Sequence, residues 1–340
     1  MNMIQNLHPG GIILFTENFK NIDQTSSMTR GANTTSKIPL FMGIDEEGGS
    51  ISRLNSVPAF HSTVLPTKKE VGSTNTPLLA EKEGKLIGEE ISSLGFNIDF
   101  APVADVNTNP NNPVIGDRSF GSDPGLVARM VAAEVKGMHE ANVITVAKHF
   151  PGHGDTSQDT HTGAVTSEHD INRLRKVEFV PFIKSIEAGT DCIMVAHIKV
   201  PKVTGNDIPA SLSKKMITGI LRSEMNFDGL VITDALDMAA IADSWSSEAV
   251  AVMAFEAGAD ILLMPASPEN AYQGILNAVK SGRITKQRID ESVRRILTAK
   301  YKYGILTSKR SILDPEKIFG SQEHQNIAKE IQSKVNAVGK

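Results

Sequence analysis

The sequence has a single cysteine in 340 residues, Cys192, set in the apolar run Cys192-Ile193-Met194-Val195. One cysteine makes no intrachain disulfide and no cysteine zinc site, and among apolar neighbours it reads as a small buried hydrophobe. No apolar stretch reaches the roughly 18–20 residues of a membrane span. The first residues, Met1-Asn2-Met3-Ile4-Gln5-Asn6, lack the basic stretch and apolar run of a signal peptide, which favours a cytoplasmic location. Charge of one sign is lacking too. The net charge is −4, so neither a nucleic-acid nor an anionic-membrane surface is expected. No repeat, low-complexity tract or dividing linker interrupts the chain. With 40% hydrophobic and 22% charged residues, it has the composition of a globular protein with a sizeable core.

Short apolar runs alternate with amphipathic segments. The strand candidates are 11–15, 39–45, 97–102, 144–150, 191–197, 229–234 and 260–265. Several are near-continuous in Ile, Val, Leu and Met, as parallel strands buried on both faces are. Helical patterns cover 77–94, 124–141, 172–188, 213–224, 247–257, 268–281 and 286–302. Thr76 and Asp123 are placed to cap, and Gly189, Gly258 and Gly282 stand where helices should stop. Alternating strands and helices imply βα units. Seven strands is one short of an eight-stranded barrel, and an open doubly wound sheet is the alternative. The polar residues favour the barrel. Asp45, Lys148, His149, His197 and Asp234 all end strands, and barrel active sites gather at that rim. Residues 1–340 are expected to be one such domain, with about 307–340 as a C-terminal tail or helix outside it.

Four segments carry candidate chemistry. Lys148–His161 packs one Lys, three His and two Asp into 14 residues after a buried strand. One reading is metal binding by His149, His153 and His161. The other is acid–base work, because Asp159 and His161 are two apart in extended chain and can point the same way. Asp234 ends the run Gly229–Thr233, and a carboxylate ending a buried strand is costly unless it has a task or a partner. Asp237 reads as a capping or exposed acid. Gly43–Gly49 holds Asp45 but reads equally as a tight turn with solvated acids. In Gly116–Gly121, Arg118 is either a fork for sugar hydroxyls or a surface arginine.

Together these segments resemble glycoside hydrolase family 3, and within it the NagZ-type β-N-acetylglucosaminidases. The resemblance runs from Gly10–Phe15 to Arg288–Leu297; its most specific parts are Lys148–Gly154 with Asp159-Thr160-His161, and Ile232–Met238. It implies an α/β fold of TIM type, a (β/α)8 barrel with its first strand lacking or irregular. The chain starts at the segment that follows the family's first strand, so a truncated N-terminus is expected, with an exported form if a longer one exists. Ser50 stands where the family often has Arg. The resemblance further implies a retaining exo-β-N-acetylglucosaminidase acting on peptidoglycan-type glycans in cell-wall turnover. Asp234 would be the nucleophile, and His161 steadied by Asp159 the acid/base. Asp45, Arg118, Lys148, His149 and Arg53 would hold the sugar. No metal or cofactor is expected, the glycan is the expected partner, and the chain is expected to be a monomer. Gly152, Gly154 and Gly163 flank the histidine loop, which is expected to close over the sugar. The competing readings are a family 3 β-glucosidase or β-xylosidase, a non-catalytic remnant, and a metal-dependent hydrolase.

Overall fold

The computed structural model describes residues 2–160, 163, 165–307 and 313–339. Six strands form one parallel sheet in chain order: β1 Gly11–Ile13, β2 Phe41–Ile44, β3 Ile98–Asp99, β4 Ile144–Phe150, β5 Cys192–Val195 and β6 Leu230–Thr233. Every residue of β2 to β6 is buried, which is why these runs carry no polar alternation. Helices return the chain between strands, among them Pro77–Ser93, Pro124–Glu140, Phe179–Glu187 and Ser247–Ala257. The arrangement is a curled βα barrel of TIM type.

Most predicted helices fall within a residue or two of their expected bounds, with two differences. The expected helix at 172–188 is split into Ile171–Lys176 and Phe179–Glu187, and Lys215–Glu224 is π-helical. Asp123 caps its helix through Leu126 N–H at 2.6 Å. Thr76 does not: its hydroxyl turns back to Thr74 O. Gly189, Gly258 and Gly282 end helices with φ of 91°, 120° and 77°, a region that favours glycine.

The run at 260–265 is reduced to a single parallel bridge, Ile232 to Ile261, extended by Leu236 N–H to Leu263 O at 2.9 Å. Met264 has φ 45°, which breaks extended backbone and ends the ladder. Among the described residues no backbone pairing joins this run to the free edge of β1, so the first-strand position is irregular. Helix Lys286–Lys302 straps that side. Along its first half Ser292 donates to Asp260 at 2.5 Å; at its C-terminal end Lys300 donates to Gly10 O at 2.8 Å and Pro39 O at 2.6 Å. Just beyond it, Tyr303 and Ile305 join the interior side chains Phe41, Ile98, Phe100, Ile144, Val146, Met194 and Ile232.

Behind β4, Phe150 stacks on Phe179 with centroids 5.3 Å apart and meets Phe182 edge-on. Burying each such ring is worth about 1.5–3 kcal/mol, and the end of β4 is the stretch that must be rigid. The C-terminal helix Gln322–Val338 lies outside, against Pro77–Ser93, through Lys82–Glu330 at 2.6 Å and His324–Glu89 at 2.9 Å. No helix among the described residues is long and apolar enough to cross a membrane.

Candidate active site

The polar residues converge at the C-terminal ends of the strands. Asp45 follows β2, and Lys148 and His149 lie at the end of β4. Lys148 is buried, with Nζ 2.8 Å from Asp45 Oδ1 and 2.7 Å from Glu47 Oε1. Arg118, in the loop after β3, makes a fork onto Glu47, Nε to Oε2 at 2.8 Å and Nη2 to Oε1 at 2.7 Å. Arg53 Nη2 lies 3.5 Å from Asp45 Oδ2. Residues from three separate segments, the loop after β2, the loop after β3 and the end of β4, thus form one alternating cation–carboxylate floor. Arg118 is therefore not a surface arginine, and the acids after β2 are not a solvated turn: Glu46 and Glu47 are buried, and Asp45 is largely covered.

Glu47 was not foreseen as a site residue. Burial opposes its charge, but Lys148 and Arg118 override it and hold the carboxyl far below the usual range. The same pairing keeps Lys148 and Arg118 charged against their own burial, with their pKa values raised. Asp105 was also missed. It lies in the loop after β3, fully buried, with Oδ2 2.7 Å from His149 Nδ1; Oδ1 accepts the backbone N–H of His153 at 2.6 Å. Burial would raise its pKa, yet His149 and His153 hold it below its ordinary value. A carboxylate only accepts, so His149 Nδ1 carries the proton and Nε2 remains as the ring's second functional atom. Neither residue stands out in the sequence. Glu47 is one of three successive acids, and Asp105 is far from the histidines it serves.

Asp234 ends β6. Its backbone N–H donates to Val195 O at 2.9 Å, and its Oδ1 accepts the following N–H of Ala235 at 2.8 Å. Burial again opposes the charge, but His197, His149, the Ala235 amide and Lys148 together hold the carboxyl below its ordinary value. His197 braces this turn, with Nε2 2.9 Å from Ala235 O and Nδ1 2.7 Å from Ser211 Oγ. Asp237 is exposed, as expected.

The histidine loop reaches the same lip. Thr160 is buried, its carbonyl accepts Ala240 N–H at 3.4 Å, and its Oγ1 is 3.5 Å from His153 Nε2. Asp159, one residue before, is half-buried. His161 lies outside the described residues. The glycines at the loop's base serve close packing: a Cβ on Gly154 would stand 2.0 Å from Val106 O, and one on Gly152 2.8 Å from Glu178 Cβ. Asp155, bonded to Thr108 and His169, pins that base, and Val165–Thr166 pairs with Ile198–Lys199 at the far end. As for the metal reading, His149 Nδ1 is taken by Asp105 and His153 Nδ1 by Thr156.

The model of the glycosyl hydrolase family 3 N-terminal domain matches residues 1–299. The chain belongs to glycosyl hydrolase family 3. It is 35% identical over 350 residues to beta-hexosaminidase A of Pseudoalteromonas piscicida, covering 95% of this chain and 58% of that protein. It is 35% identical over 307 residues to beta-hexosaminidase LpqI of Mycobacterium tuberculosis, covering 88% and 77%. Among solved structures, a family 3 beta-N-acetylglucosaminidase from a Paenibacillus species superposes with TM-score 0.90 at 36% identity, over 98% of this chain and 64% of that one. The chain thus spans under two thirds of the first and last of these relatives.

Proposed function

We propose that this family 3 chain is a retaining exo-β-N-acetylglucosaminidase acting on N-acetylglucosamine-containing glycans of the peptidoglycan type. Its residues 1–340 would act as one catalytic domain. The observation that carries the reading is Asp234, held ionised at the end of β6 beside Lys148, His149 and His197. Asp234 attacks the anomeric carbon and forms a glycosyl ester. His161, oriented by Asp159, protonates the departing oxygen and then takes the proton from the water that cleaves the ester. Most retaining enzymes use a second carboxylic acid for that role; an imidazole titrates nearer neutrality and suits both transfers. Asp45, Lys148, His149, Arg118 and Arg53 bind the sugar, with Glu47 and Asp105 ordering the cations and the imidazole. The relatives' names, beta-hexosaminidase and beta-N-acetylglucosaminidase, support the 2-acetamido sugar.

The test is release of 4-nitrophenol from its N-acetyl-β-glucosaminide by the purified chain, alongside the glucoside and xyloside. Turnover of the N-acetyl substrate that is lost in Asp234→Ala is expected. Turnover confined to the glucoside would replace the substrate assignment. Undiminished activity in Asp234→Ala would remove the mechanism.

A further inference from the structure

We propose that Glu46 is a positioning residue that fixes the backbone of Arg53 for sugar binding; the inference rests on the reading of the site given above. Glu46 stands between two residues of the floor, Asp45 and Glu47, yet its side chain serves the other arm of the loop. Its Oε2 accepts the backbone N–H of Arg53 at 2.8 Å and of Leu54 at 3.1 Å. The Ser52 side chain hydrogen-bonds the same carboxyl. Its own N–H is anchored on Asp99 Oδ1 at 2.9 Å. Between the arms, Glu47 N–H donates to Ile51 O at 3.0 Å and Ile51 N–H to Gly48 O at 3.2 Å. The loop is closed once by its backbone and again by this one buried side chain.

Arg53 needs such an anchor. Its side-chain contacts are long: 3.5 Å to Asp45 and 5.6 Å from the guanidinium carbon to the centre of the Phe15 ring. Its Nε is buried and meets no acceptor among the described residues. An arginine with an unfilled donor beside a sugar-binding carboxylate is set for a ligand, and contacts that loose do not hold it in one place. The amides of 53 and 54 require an oxygen acceptor, not a charge. A glutamine at 46 can supply that oxygen; an alanine leaves buried donors unpaired.

The experiment is steady-state kinetics of the full chain on 4-nitrophenyl N-acetyl-β-glucosaminide, with Glu46→Gln, Glu46→Ala, Arg53→Ala and the double variant Glu46→Ala/Arg53→Ala. Glu46→Gln should stay within about twofold of wild type, and Glu46→Ala should raise KM about tenfold with a smaller change in kcat. On the Arg53→Ala background the Glu46→Ala effect should largely disappear. If Glu46→Ala matches Glu46→Gln, or if its full effect persists without Arg53, the proposal is overturned. Should Glu46→Ala not fold, Glu46→Asp, one methylene shorter, carries the same cycle. If wild type shows no turnover, the reading of the activity fails by itself. Amide hydrogen exchange then decides the clamp: faster exchange over 51–54 in Glu46→Ala than in Glu46→Gln supports it, and equal exchange overturns it.

Discussion

Replacing Glu83 by glutamine should stabilise the protein at pH 8 and change little near pH 4. Lys68 Nζ lies 2.8 Å from Glu134 and 3.2 Å from Glu83, and all three side chains are buried between helices Pro77–Ser93 and Pro124–Glu140. One ammonium serves two carboxylates, and Glu83 Oε2 and Glu134 Oε2 lack hydrogen-bond partners among the described residues. Burial, with Glu134 nearby, outweighs Lys68 and pushes Glu83 from 4.5 up to about 7. Between those values the folded chain keeps a proton that the unfolded chain has lost, so stability falls as pH rises through the window and levels off above it. At about 1.4 kcal/mol per pH unit, the window from 4.5 to about 7 sets a ceiling of about 3.5 kcal/mol. Glutamine keeps the volume and an oxygen for Lys68 but carries no charge. Urea unfolding at pH 4 and pH 8 should give equal stabilities at the lower pH and a higher midpoint for the variant at the upper. A variant less stable than wild type at pH 8 would refute the reasoning, because attraction to Lys68 would then exceed the cost of a second buried anion.

Asp234→Ala should lower kcat by about 10⁴-fold or more, and a residual rate near wild type would contradict its role. His161→Ala should lose about 10²-fold on glycosides with poor leaving groups and much less on nitrophenyl glycosides, since only the former need a proton. Glu47→Ala leaves Lys148 and Arg118 short of a partner, so unfolding stability should drop by about 3 kcal/mol and KM should rise; urea melts and kinetics check both. Glu89 and Glu90 of helix Pro77–Ser93 overcome burial and raise His324 of the C-terminal helix to about 9. Its contribution is then complete below its ordinary 6.5 and lost as pH rises through 9. His324→Ala should therefore lower Tm at pH 6 by more than at pH 10, as thermal melts followed by circular dichroism would show.

The strands of the barrel were legible because their burial is two-sided: runs such as Ile144–Phe150 have no polar face to confuse the period. The helix Ile22–Thr35 was not. It buries Thr25, Ser26, Thr29 and Ala32, small residues that trace no apolar stripe, and its visible start signal, the Asn21 cap, is weak alone. At the site, the chain order displayed what sits at strand ends: Asp45, Lys148, His149 and Asp234. It hid the partners that come from other segments. Glu47 joins Lys148 across a separation of 101 residues and Asp105 joins His149 across 44, and no local pattern encodes either pairing. The 260–265 run misled through composition: it is apolar enough for a strand, but the left-handed backbone at Met264 stops it.

The carboxylates around the floor separate by neighbour, not by depth. Glu47, Asp105 and Asp234 each face cations or imidazoles, and each is held below its ordinary pKa despite burial. Asp99 and Glu46 are as buried. Burial pushes Asp99 well up, with Glu46 and Asp45 adding to it and the Glu46 amide and Lys148 offsetting only part, while Glu46 meets little but backbone, a hydroxyl and Glu90 and is pushed to about 7. The ionised acids pair with residues that include the proposed sugar-binding Lys148, Arg118 and His149, and the acids driven toward neutrality accept backbone N–H groups of the loop after β2. A sugar without charge gains nothing from a net field but much from fixed donors and acceptors. A floor whose carboxylates and cations hold each other in place would supply those groups already oriented, and under the proposed mechanism the negative charge of Asp234 would face the developing positive charge at the anomeric carbon.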